Sequence, residues 1–167
     1  MRRTIGLLCL AQTMFLATNS GYCQTNLAAE LHGEALFPIG TYHMPGTGYG
    51  GGIGLQYDIS HYFSVGFRAG YAVWSLNNGR LENWPLSLPL KYYFLGPDAF
   101  RAYGLIEPGY TLTRTTNELT ISPGFGVEIP LRGGGPTALD FSLRDEIHLN
   151  GSQTNGIKFR LGSLFGF

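Results

Sequence analysis

The last stretch of the sequence reads Ile157-Lys158-Phe159-Arg160-Leu161-Gly162-Ser163-Leu164-Phe165-Gly166-Phe167. Ile157, Phe159, Leu161, Phe165 and Phe167 share one parity, and Lys158 and Arg160 the other. A period of two with one apolar and one charged side is a β-strand between two unlike environments. The same period runs backward through most of the chain. Leu139, Phe141, Leu143, Ile147 and Leu149 oppose Asp140, Ser142, Arg144, Glu146 and His148, with Asp145 a single charge on the apolar row. Leu119, Ile121, Phe125, Val127, Ile129 and Leu131 oppose Glu118, Thr120, Ser122 and Glu128. Ala102, Gly104, Ile106, Pro108, Tyr110 and Leu112 oppose Arg101, Tyr103, Leu105 and Glu107.

The first half continues the pattern. Trp84, Leu86, Leu88, Leu90, Tyr92 and Phe94 oppose Ser87, Lys91 and Tyr93. Phe63, Val65, Phe67, Ala69, Tyr71 and Val73 oppose Ser64, Gly66, Arg68 and Gly70. Tyr49, Gly51, Ile53, Leu55, Tyr57 and Ile59 oppose Gly50, Gly52, Gly54, Gln56 and Asp58. Leu27, Ala29, Leu31, Gly33, Ala35 and Phe37 oppose Glu30, His32 and Glu34. The pattern predicts an all-β chain, an eight-stranded antiparallel up-and-down transmembrane β-barrel.

Alternation alone does not say which face is outside, because a soluble barrel buries its apolar side. Two distributions decide it. With odd strands rising and even strands descending, Tyr57, Phe63, Tyr92, Phe94, Phe165 and Phe167 gather at the lower ends. Phe37, Tyr49, Tyr71, Trp84 and Tyr110 gather toward the upper ends. Two aromatic girdles around an aliphatic band suit a lipid-facing wall. The polar rows, strand-end Asp58 and Arg132 set aside, carry Glu30, Glu34, Arg68, Lys91, Arg101, Glu107, Glu118, Glu128, Asp140, Arg144, Glu146, Lys158 and Arg160. An eight-stranded barrel is filled by its own side chains. Mixed charges there are expected to form an interior ion network.

Composition agrees. Charged residues are 13% of the 167, about half the share usual in soluble domains. Aromatics are 14%, and net charge is zero, without the basic surface that a nucleic-acid partner requires. Residues 1–23 have the layout of a secretory signal peptide: Arg2 and Arg3, an apolar run from Ile5 to Ala17, then small and polar residues. The expected mature barrel is 24–167, with a cut after Ser20 as the alternative site. The tyrosine at 22 argues against lipidation of Cys23. Cys9 and Cys23 both precede Gln24, so a cut after Cys23 leaves no thiol.

Compact turns are expected at Ile59-Ser60-His61, Gly96-Pro97-Asp98 and Gly133 to Pro136. Longer outer loops are expected at Gly40 to Gly48, Ser75 to Glu82 and Asn150 to Asn155, and a short one near Arg114 to Asn117. Pro85, Pro89, Pro108, Pro123 and Pro130 fall inside the proposed strands. They call for bulges, frayed ends or shorter strands, because proline cannot donate to a ladder.

Arg160, Gly162, Phe165 and Phe167 resemble the C-terminal assembly signal of outer-membrane barrels: a polar residue, a glycine two later, and hydrophobic residues at the third-last and last places. Residues from about Leu27 onward resemble the small outer-membrane β-barrel domain family of the OmpA/OmpX type. Phe37-Pro38-Ile39-Gly40, Leu90-Lys91-Tyr92-Tyr93-Phe94 and Pro123-Gly124-Phe125-Gly126-Val127-Glu128 are similar to phrases of its Bacteroidota-type members. The resemblance implies export to the outer membrane, contact with outer-membrane lipid and use of the barrel-assembly machinery. It fixes no extracellular partner.

No catalytic constellation emerges. Outer-membrane lipid A deacylases carry a His-x-Ser pair, but here His148-Leu149-Asn150 has Asn in the serine position, and Ser152 is misplaced. His32 between Glu30 and Glu34 suits an ion network better than a metal, because Lys158 and Arg160 compete for the carboxylates. Gly48 to Gly54 lacks the helix and Lys-Ser/Thr of a phosphate loop. No cofactor is expected. The leading functional expectation is a non-enzymatic anchor or interaction barrel acting through its outer loops. A narrow transport or lipid-handling barrel and a soluble lipocalin-like barrel are the alternatives.

Overall fold

The computed structural model describes residues 26–39, 46–76, 79–95, 100–113, 117–131, 137–149 and 156–167. The proposed signal peptide, with its cleavage site, lies outside them. So do the connections at 40–45, 77–78, 96–99, 114–116, 132–136 and 150–155. The described elements are strands: β1 (Leu27–Pro38), β2 (Gly48–Asp58), β3 (Phe63–Leu76), β4 (Gly79–Ser87), β5 (Leu90–Tyr93), β6 (Arg101–Thr113), β7 (Asn117–Pro130), β8 (Thr137–His148) and β9 (Gly156–Gly166). Every pairing is antiparallel, and β1 bonds both β2 and β9, so the sheet closes on itself.

β4 and β5 are two halves of one stave. Arg68 faces Ser87 and Val65 faces Leu90, the same register on either side of Leu88-Pro89. The ladder even crosses the interruption: Gly66 N donates to Pro89 O at 2.9 Å, and Leu88 N donates to Pro108 O at 2.9 Å. The barrel therefore has eight staves.

The registers need no bulge at the prolines, but Leu88-Pro89 breaks the fourth stave into two shorter strands, as expected for Pro89. β6 runs 13 residues and β7 runs 14, each through its prolines. Pro85, Pro108 and Pro123 each keep their register on one side and open the ladder on the other. Pro85 faces Thr111, Pro108 faces Ile121, and Pro123 faces Ile106. The β7–β8 pairing skips the rows of Ser122 and Pro123, then resumes at Gly124 opposite Arg144. The missing N–H costs one local bond, and the strands on either side hold the register.

The stagger of the sheet follows from the partners. Phe63 pairs with Tyr92, then in turn come Gly104, Phe125, Leu143, Phe159, Ala35, Tyr49 and finally Val73. One circuit thus climbs β3 from residue 63 to residue 73. That shear tilts the strands by about 40°. A tilted strand of twelve residues rises roughly 30 Å, the thickness of a bilayer's hydrocarbon core.

The apolar rows face outward. Ile53 is 65% exposed and Phe125 60%, whereas Arg68 and Arg144 are each 2% exposed. Allowing for the tilt, exposed Tyr49, Tyr71, Trp84 and Tyr110 ring the end away from the chain termini. Tyr57, Tyr92 and Phe94 ring the terminal end. Within each ring neighbours touch: Tyr71 and Trp84 lie 4.8 Å apart, and Phe63 and Tyr92 5.1 Å. The band between is not purely aliphatic, since Phe67, Phe125, Phe141 and Phe159 interrupt it. All four are phenylalanine. A ring without a polar atom needs no hydrogen-bond partner there, while Tyr and Trp prefer an edge with water.

The Ser75-to-Glu82 loop is shorter than the sequence suggests. Trp74 pairs with Leu81 and Leu76 with Gly79, leaving only 77–78 between the paired ends. Trp74 keeps the inward parity of Ala72 and packs with Leu36, Ala72 and Leu81 inside the mouth, which carries the hairpin upward.

Candidate functional site: the barrel interior

Inward parity brings the charged residues into one narrow space. Small residues make the room. A Cβ on Gly54 would sit 2.9 Å from Arg68 Cγ, and one on Gly124 2.9 Å from Arg144 Cγ. A Cβ on Gly126 would strike the Tyr103 ring at 2.4 Å.

Toward the terminal end, Lys91 Nζ lies 2.7 Å from Glu128 Oε1 and 2.6 Å from Asp140 Oδ2. Tyr93 OH donates to Glu128 Oε1 at 2.7 Å, Arg101 Nη2 donates to Glu128 Oε2 at 2.5 Å, and Tyr103 OH donates to Asp140. Arg101 Nη1 also reaches Asp58 Oδ2 at 3.0 Å. Lys91 stands 4.4 Å over the Tyr103 ring, and the Arg101 guanidinium 4.2 Å over Tyr93. These rings shield the cations from bulk water and offer their faces to positive charge.

At mid-height Glu107 is the hub. Its Oε2 accepts from Arg68 Nη1 at 2.7 Å and from Arg144 Nη1, and its Oε1 accepts from Ser87 Oγ at 2.6 Å and lies 3.5 Å from Arg160 Nη2. Arg68 Nε donates to Glu30 Oε2 at 2.7 Å, and Arg160 Nη2 donates to Glu34 Oε2 at 2.9 Å. Arg68 Nη2, 3.8 Å from Asp140 Oδ2, joins this tier to the one below. His32 Nδ1 lies 3.1 Å from Glu30 Oε1. Near the far mouth Glu146 meets Lys158, and His148 sits between Glu118 Oε2 at 2.6 Å and Glu146 Oε1 at 3.2 Å.

The structure thus places Glu30, Glu34, Arg68, Lys91, Arg101, Glu107, Glu128, Asp140, Arg144, Glu146, Lys158 and Arg160 in contact with partners of opposite charge. Sequence reasoning set Asp58 aside as a strand end, yet it pairs with Arg101. It also gave no role to Tyr93, Tyr103 and Gln56, whose inward parity was the available signal; Gln56 Nε2 donates to Tyr93 OH at 3.0 Å. A cavity of about 20 Å³ remains among His32, Arg68, Glu107 and Arg160, room for a single water. Among the described residues no group of His, Cys, Asp and Glu has the arrangement of a metal site. Of the four resemblance-derived assembly residues, Arg160 and Gly162 face the interior, Phe165 is half-buried on the outer wall, and Phe167 is exposed at the rim.

The closed antiparallel barrel has clear structural counterparts. The fold is that of the small outer-membrane barrels. Neisserial surface protein A matches with a TM-score of 0.62 at 10% identity, over 86% of this chain and 98% of that one. The N-terminal β-barrel domain of Pseudomonas aeruginosa OprF matches with 0.59 at 15% identity, over 86% and 98%. The outer membrane enzyme PagL matches with 0.59 at 11% identity, over 83% and 99%. No family model and no curated protein sequence matches this chain. The likeness therefore concerns the fold, which hosts both enzymes and non-enzymes.

Proposed function

We propose that this chain is an integral outer-membrane barrel of the OmpA/OmpX-like, Bacteroidota-type group, exported by its N-terminal segment and inserted by the barrel-assembly machinery. In this reading it anchors its outer loops at the cell surface, and their partner acts there. The observation that carries the reading is the inversion of faces: apolar rows between two aromatic rings outside, and charges inside. That inversion also argues against a soluble lipocalin-like barrel, whose ligand would need an apolar inner wall.

The filled lumen supports an anchor over a pore. Arg68, Lys91, Glu128, Asp140 and Arg144 are each at most 2% exposed and bridge the barrel from side to side. The cavity beside them admits about one water. The purified barrel is expected to shift its gel mobility on boiling and to show no steady open level in planar bilayers. Stable porin-like conductance would overturn the plugged interior.

The reading includes no catalytic role. His148 is held between Glu118 and Glu146 inside the mouth, not on the outer wall. Asn150 and Ser152 lie outside the described residues. Replacing His148 by Ala is expected to leave lipid A unchanged in a producing strain. Mass spectra showing a His148-dependent loss of an acyl chain would establish an enzyme instead.

A further inference from the structure

Between the two aromatic rings, the described outward rows carry one charge, Asp145. It stands on β8 between Leu143 and Ile147, three residues before the strand's last residue, His148. It is exposed, and its carboxylate has no partner among the described residues. A carboxylate on a lipid-facing row is unfavourable unless something of opposite charge meets it, and such a residue marks a site by default.

A second observation falls at the same place. The β7–β8 ladder is open at the rows of Ser122 and Pro123, directly beside Asp145. Pro123 is exposed there and has no N–H to offer. A groove of about 400 Å³ follows this opening, lined by Pro123, Gly124, Phe125, Leu143, Arg144, Asp145 and Ile157. Arg144 turns its guanidinium inward to Glu107, so Asp145 is the one charged side chain the groove presents outward, and Phe125 and Leu143 lie on the side toward the terminal end. The complement is an amphiphile with an apolar chain below and a single positive group above.

We infer that this groove seats the acyl chain of a lipid whose headgroup ammonium is held by Asp145. The inference rests on the membrane placement proposed above. A lipid with a purely anionic head meets the carboxylate with like charge. A second copy of the chain fits worse, because a two-fold contact centred on the groove would bring Asp145 against Asp145.

The test uses the folded barrel in nanodiscs of equal phosphatidylethanolamine and phosphatidylglycerol with identical acyl chains. Native mass spectrometry then reads which lipid stays bound. Phosphatidylethanolamine is expected to be enriched about fivefold, the factor of one exposed ion pair. Asp145→Asn should bring the ratio close to one, and Asp145→Glu should keep most of the preference. Gel mobility before and after boiling reports insertion of the same samples. Failure to insert would overturn the membrane reading, and this inference with it. Insertion with equal retention of both lipids would overturn the inference alone. A dimer that disappears in Asp145→Asn would also overturn it, by putting a second copy where the lipid is placed.

Discussion

Replacing Glu107 by Gln is expected to destabilise the barrel by about 3–5 kcal/mol, the cost of leaving a buried charge without its partner. Glu107 is 5% exposed and faces three guanidinium groups, those of Arg68, Arg144 and Arg160. Arg68 and Arg160 keep other carboxylates, Glu30 and Glu34. Arg144 does not. Its remaining contact is the Ser142 hydroxyl at 2.9 Å, which supplies a hydrogen-bond acceptor and no charge. The loss should therefore centre on Arg144. Glu107→Gln with Arg144→Gln should recover much of it, because the double variant restores neutrality. Urea unfolding of wild type, both single variants and the double variant in the same lipid measures the coupling. A single-variant loss below about 1 kcal/mol, the value of a surface pair, would show that water in the lumen already screens Glu107.

This dependence on Arg144 was not legible in the sequence, and the reason is geometric. Parity placed Glu107 and Arg144 on the inner wall, but β6 and β8 are not neighbours. Their meeting depends on the stagger of the whole sheet, which no single segment encodes. The same holds for Lys91, which reaches Asp140 across two intervening strands. Alternation, by contrast, is local. Each residue's face is set by its own strand, so the inward and outward rows could be read directly. Aromatic height was readable for the same reason, since distance from a turn is also local.

The prolines were legible in part: Pro89 does break its stave, but no bulge forms. Taken one strand at a time, each proline calls for a bulge, a frayed end or a shorter strand. In the closed sheet the strands on both sides fix the register, and Leu88-Pro89 interrupts the ladder without shifting it. Trp74 misled in a simpler way. Its polar neighbours Ser75, Asn77 and Asn78 read as loop, while its own buried contact with Leu36 and Leu81 extends the hairpin.

Phe167→Ala is expected to lower the amount of barrel in the outer membrane while leaving the finished barrel's stability nearly unchanged. The ring of Phe167 is 63% exposed at the rim, beside half-buried Phe165. Full burial of such a side chain is worth about 1.5–3 kcal/mol, so this ring supplies a fraction of that. The backbone bond from Phe167 N to Leu27 O, 3.2 Å, does not need the ring. Assembly makes a different demand. Before the sheet closes, β9 has no β1 beside it, and its unpaired edge must be recognised in an unfolded chain. A terminal aromatic in step with Arg160 and Gly162 is the mark that the family resemblance supplies for that recognition. Cells producing Phe167→Ala should therefore show less barrel in the outer membrane and more degradation before insertion. The same variant refolded directly into detergent should unfold within about 1 kcal/mol of wild type, the range of a partly exposed contact. Equal cellular levels of variant and wild type would show that the terminal ring is not the assembly mark. A large loss of stability in detergent would show that its role lies in the finished barrel instead.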